Sequence, residues 1–98
     1  MKQKRNVDKH TDAGVARANI IRACLSAKCT SSQRVMRKAQ IGRVAFPDYD
    51  FRWPQGAAFA VAKIVSDMER EGLMRWHSDD VTYGFYLTQK GVEAAAKE

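Results

Sequence analysis

WPQGAAFAVAKIVSDMEREGLM, residues 53–74, sets Ala57, Val61, Ile64, Val65 and Met68 at three- and four-residue spacing, the mark of one helix face. Pro54 suits the first helical position, where its missing N–H would go unpaired anyway. Gly72, just past the last turn, can take the left-handed conformation that ends a helix. The expectation is a helix of about 18 residues, roughly 27 Å long. Leu73-Met74-Arg75-Trp76 follows, then a polar break at Ser78-Asp79-Asp80, then Val81 to Leu87, in which Val81, Tyr83, Phe85 and Leu87 alternate as one strand face. This predicts a β-hairpin. Thr88 has the side chain to cap a short last helix through Val92 and Ala95.

These residues carry a family likeness. The series KIVSDMEREGLMRW…YGFYLTQKG resembles the end of the recognition helix, the wing and the LTxxG helix start of winged helix-turn-helix proteins, the MarR-like and PadR-like repressors in particular. It spans residues 54–92. The likeness implies an α+β, mainly α, single winged helix-turn-helix domain over residues 12–98, with a three-helix core, a β-hairpin wing and a short C-terminal helix. It also implies a small sequence-specific DNA-binding protein acting as a transcriptional repressor or accessory regulator. In that reading Gln55, Phe59 and Lys63 enter the major groove, where Gln can pair with adenine, Phe can touch a thymine methyl and Lys can reach guanine or phosphate. The wing tip departs from the pattern, because Ser78-Asp79-Asp80 is acidic where relatives carry cations.

The rest of the chain bounds that reading. Ninety-eight residues suffice for one domain that folds without staples. Neither a run of eighteen apolar residues nor a signal-peptide core is present, so a cytoplasmic protein without a membrane partner is the expectation. Cys24 and Cys29 read as two small buried residues. A zinc site would need further ligands, and only His10 and His77 are at hand, at no recurring spacing. No cofactor, small-molecule substrate or metal is expected. With no nucleophile beside a base and no Gly-rich phosphate loop, neither is an enzyme.

The net charge of +6 is segregated: residues 1–43 hold eleven Lys/Arg against Asp8 and Asp12, while residues 44–98 hold six against nine Asp/Glu. A one-sided positive surface suits a nucleic acid such as double-stranded DNA, although it also suits an acidic protein or an anionic membrane surface. Residues 1–11 read as a disordered basic arm, whose Lys4 and Arg5 either lie on phosphates or merely aid solubility. Asp12 can cap a first helix from Ala13 to about Lys28, with Ala13, Ala16, Ile20, Cys24 and Leu25 as its inner stripe. A second helix is expected from Thr30, with Gln33 completing a capping box and Gly42 stopping it. Arg34, Arg37 and Lys38 would then face outward and Arg43 would follow at the end, all available to phosphate.

An aromatic insertion at 43–53 separates this helix from the long one, where a compact helix-turn-helix has a short turn. Tyr49, Phe51 and Trp53 alternate, so the piece can run extended with three rings on one face. A flap packed on the domain is favoured over an exposed aromatic surface, since large exposed apolar patches are uncommon on monomers. The alternative function is a winged helix used for protein recognition, docking a protein partner through this flap and the acidic wing; a homodimer on palindromic DNA is the other partner considered.

Overall fold

The computed structural model describes residues 12–96, so the arm with Lys4 and Arg5 lies outside the described residues. In chain order the elements are α1 (Ala13–Ser26), α2 (Lys38–Ala45), α3 (Pro54–Arg70), β1 (Met74–Ser78), β2 (Tyr83–Leu87) and α4 (Gln89–Ala96). The fold is α+β and mainly helical. Pro54 opens α3 as expected, and Ala57, Val61, Val65 and Met68 are its buried residues. Its end is closed by two bonds, from the Gly72 amide to the Glu69 carbonyl and from the Leu73 amide to that of Met68. Gly72 accordingly has a φ of 82°.

The same termination closes α1, with a different residue in the strained position. The Lys28 amide donates to the Leu25 carbonyl and the Cys29 amide to that of Cys24, and Lys28 adopts a φ of 61°. This fold-back draws Cys29 under the helix, where it is 3% exposed. The inner stripe differs from expectation by one helix edge. Ile21 is buried, while Leu25 is 37% exposed and Ala13 lies in solvent.

Residues 30–36 do not form the expected helix. Thr30 caps nothing, and the Gln33 amide instead donates to the Ser31 hydroxyl oxygen at 3.3 Å. Met36 then exchanges both backbone bonds with Phe85, each 2.8 Å, and the Leu87 amide reaches the Cys29 carbonyl. The segment is thereby held against β2 as a third extended piece. β2 pairs antiparallel with β1 on its other side, with Met74 opposite Leu87 and Trp76 opposite Phe85. Once Met36 must lie flat for that pairing, the helix can start only after it, and it begins at Lys38.

Gly42 does not stop α2 either; it lies inside it and is buried. A β-carbon there would fall 2.1 Å from the Ala57 carbonyl oxygen of α3, so glycine is what lets the two helices touch backbone to backbone. Because α2 runs to Ala45, the insertion shortens from 43–53 to 46–53. It bends rather than running extended. Phe46 is 5% exposed, Phe51 meets it edge-on at 6.5 Å, and Tyr49 meets Phe51 at 4.5 Å, so three rings pack inward while Trp53 stays 68% exposed.

The core gathers Ile20 and Cys24 from α1, Ile41 from α2, Val61, Val65 and Met68 from α3, and Met74 and Leu87 from the hairpin, all fully buried. Each such aliphatic side chain contributes about 1.5–3 kcal/mol over leaving it in water. Polar ties bind the periphery. Arg17 of α1 grips Glu71 through both guanidinium nitrogens, at 2.9 and 2.5 Å, which raises the Arg17 pKa and lowers that of Glu71. Asn19 donates to the Ala45 carbonyl at the end of α2. Thr88 caps α4 by accepting from the Gly91 amide.

Candidate nucleic-acid interface

The outward face of α3 follows from its inward one. With Ala57, Val61, Val65 and Met68 in the core, the 100° step turns Gln55, Phe59, Lys63, Ser66 and Arg70 to solvent, and all five are exposed. Phe59 is 85% exposed. The flap does not cover it, because Phe46, Tyr49 and Phe51 pack against one another and the core. No charged residue occurs from Trp53 to Ala62, so about the first two and a half turns of this face are apolar apart from Gln55. Farther along, Asp67 takes Lys63 at 3.2 Å and Arg70 at 2.9 Å. The Lys63 hydrogen bond, helped by that of Arg70, holds the Asp67 carboxyl below its usual range against desolvation, which pushes the other way.

The four cations assigned to the second helix divide into two groups. Arg34 and Arg37 precede α2, running alongside β2, and Lys38 is its first residue. Arg37 lays its guanidinium 4.4 Å from the centre of the Tyr83 ring, and the Lys38 ammonium stands 6.0 Å from that of Phe85. Among the described residues none of the three has a carboxylate at ion-pair distance. Arg43 is five residues beyond Lys38, roughly 140° around the helix. It lines a shallow cleft on the other side with Arg22, Val44 and Pro47. Arg43 therefore does not share a surface with Arg37 and Lys38; its cationic neighbour is Arg22 of α1.

The hairpin tip uses one of its two acids to build its turn. Asp79 Oδ1 accepts from the Val81 and Thr82 amides at 2.9 and 2.8 Å, and Oδ2 meets His77 Nε2 at 3.0 Å. The His77 hydrogen bond and the two amides pull the Asp79 pKa down to about 2. The carboxylate thus builds the turn, leaving Asp80 as the free acid of the tip. Val81, expected on the inner strand face, belongs to this turn and is 84% exposed. Trp76 and Tyr83, each 46% exposed, lie on the same hairpin face 6.0 Å apart. Trp76 shares its strand face with the buried Met74, but the hairpin outruns the core there.

Both cysteines are reduced and buried. Burial first, then the neighbouring Cys29, pushes the Cys24 thiol up to about 12, and burial likewise raises Cys29 despite Arg34 nearby. Among the described residues no three His, Cys, Asp or Glu side chains gather as a metal site, and no helix is long and apolar enough to cross a membrane. No protein-family model, curated protein or solved structure matches the chain.

Proposed function

We propose that the chain is a winged helix-turn-helix protein that binds double-stranded DNA sequence-specifically, as a repressor or accessory regulator of transcription. The observation that carries the reading is the uncovered face of α3, where Phe59 stands clear of the flap between Gln55 and Lys63. A rigid helix with an open row of amide, ring and ammonium groups suits the major groove, whose edges offer adenine, a thymine methyl and guanine to those three groups. The order of elements agrees with it: α1, the extended piece at Met36, α2, α3, then a hairpin whose inner strand joins that piece. Arg34, Arg37 and Lys38, without carboxylate partners among the described residues, are suited to phosphates.

The test is fluorescence anisotropy with random and selected duplexes across a salt series. Three phosphate contacts steepen log K against log salt by about 2.7, so replacing Arg34, Arg37 and Lys38 by Gln flattens the slope by up to that amount. Gln55→Ala and Lys63→Ala relax base preference instead. Deleting residues 1–9 asks separately whether the arm adds to the slope. One observation favours protein docking: Trp53 and Phe59 are exposed beside an uncharged stretch of α3. Full-length protein that shows no salt-dependent duplex binding would leave that reading in place of the first.

A further inference from the structure

One face of the hairpin begins in the core at Met74 and Leu87 and continues outward through Phe85, Trp76 and Tyr83. Phe85 is 5% exposed, with the Trp76 ring edge-on to it at 5.0 Å. Beyond it the face opens: Trp76 and Tyr83 are each 46% exposed, their rings 6.0 Å apart and tilted by 35°. The Arg37 guanidinium lies over the Tyr83 ring at 4.4 Å, and Lys38 stands beside Phe85. Neither cation has a carboxylate partner among the described residues. The surface therefore joins two half-open aromatic rings to unpaired positive charge.

This chemistry differs from that of the α3 face. Bases inside a duplex present edges to a protein, and a flat ring gains little from an edge. Unpaired bases present their faces, and stacking on an aromatic side chain, with cations following the phosphates, is how single strands are held. We propose that the hairpin face of Trp76 and Tyr83, flanked by Arg37 and Lys38, binds a short unpaired stretch of DNA by stacking its bases. The inference rests on the nucleic-acid reading above, but on different residues, and the two can fail separately.

The test uses the full-length chain carrying Trp53→Phe, which leaves Trp76 as the one tryptophan of the protein. It is titrated with an oligothymidylate of about eight nucleotides, within the span one single-strand site covers, with a blunt duplex, and with polyglutamate. The expected result is saturable quenching of Trp76 fluorescence by oligothymidylate and none by polyglutamate. By anisotropy of the labelled oligonucleotide, Tyr83→Ala and Trp76→Ala each weaken binding roughly tenfold, while Trp76→Phe, which keeps a stacking ring, stays within about threefold. Should the alanine variants fold poorly, the quenching and Trp76→Phe still decide. Absence of quenching by oligothymidylate, or equal quenching by polyglutamate, overturns the proposal. Duplex binding without oligothymidylate binding leaves the α3 reading standing and removes this one. Oligothymidylate quenching without duplex binding does the reverse, and failure of both ligands removes both.

Discussion

The two long faces of α3 obey opposite rules. On the inner face Ala57 approaches Gly42 so closely that a single β-carbon has no room, and Val61, Val65 and Met68 are closed to solvent. On the outer face a whole phenyl ring stands 85% exposed with no neighbour using it for packing. One helix therefore holds the domain together on one side and leaves a ring idle on the other. Stability and binding are separable by substitutions two residues apart, Ala57 against Phe59.

The largest expected effect lies on the inner face. Met68→Ala removes a fully buried side chain from the core and costs about 2–5 kcal/mol, measured by urea unfolding. Gly42→Ala follows at about 2–3 kcal/mol, because the added carbon meets backbone and forces the helices apart. A neutral Gly42→Ala would mean that α2 and α3 cross elsewhere, and the contrast between faces would lose its basis.

The ends of α1 and α3 give a finer version of the same contrast, between a site that needs glycine and has it and one that does not. Lys28→Gly relieves a left-handed lysine and stabilises by about 1 kcal/mol, whereas Gly72→Ala costs about the same. Thermal melts of both variants, read with opposite signs, check the pair. Phe59→Ala moves stability by less than about 0.5 kcal/mol, as at ordinary surface positions. In the duplex assay it weakens binding by roughly fivefold or more if the ring meets a thymine methyl. A melt that drops by several kcal/mol would show the ring to be covered.

The smallest effect is at the seam between the faces, where Asp67 holds Lys63 and Arg70. Its folded pKa is depressed below the ordinary 3.8, so its contribution is present above that value and is lost as pH falls through the lower folded one. Asp67→Asn releases both cations at neutral pH without that titration. Duplex binding then tightens at low salt, and the gain shrinks as salt rises.

What could be read in the letters follows from the range of the interactions. Pro54, the apolar spacing to Met68 and Gly72 are local signals, and the helix they describe is present from Pro54 to Arg70. The exposure of Gln55, Phe59 and Lys63 is legible for the same reason, as geometry within one helix. Thr30 and Gln33 carry an equally good local signal, yet they lose to the exchange of backbone bonds between Met36 and Phe85, partners 49 positions apart. No local pattern shows that contact. Gly42 was ambiguous in kind: a glycine ends helices and also seats them against one another, and only the position of Ala57 distinguishes the two. The splitting of Arg43 from Lys38 follows once the helix runs on past Gly42 to Ala45, since Arg43 is then a residue of the helix and takes its place roughly 140° around it.

The fold-back at Lys28 also equips the molecule with a clock for its own opening. It tucks Cys29 beside Cys24, leaving two cysteines 3% and 0% exposed, with the deeper thiol kept protonated far above neutral pH. An alkylating reagent needs a thiolate it can reach, and the closed molecule offers none. Labelling can advance only through excursions that pull α1 away from the hairpin, so its rate reports how often the chain lets go. Lys28→Gly should slow that clock and Gly42→Ala should speed it, and mass spectrometry can read both without a denaturant or a chromophore.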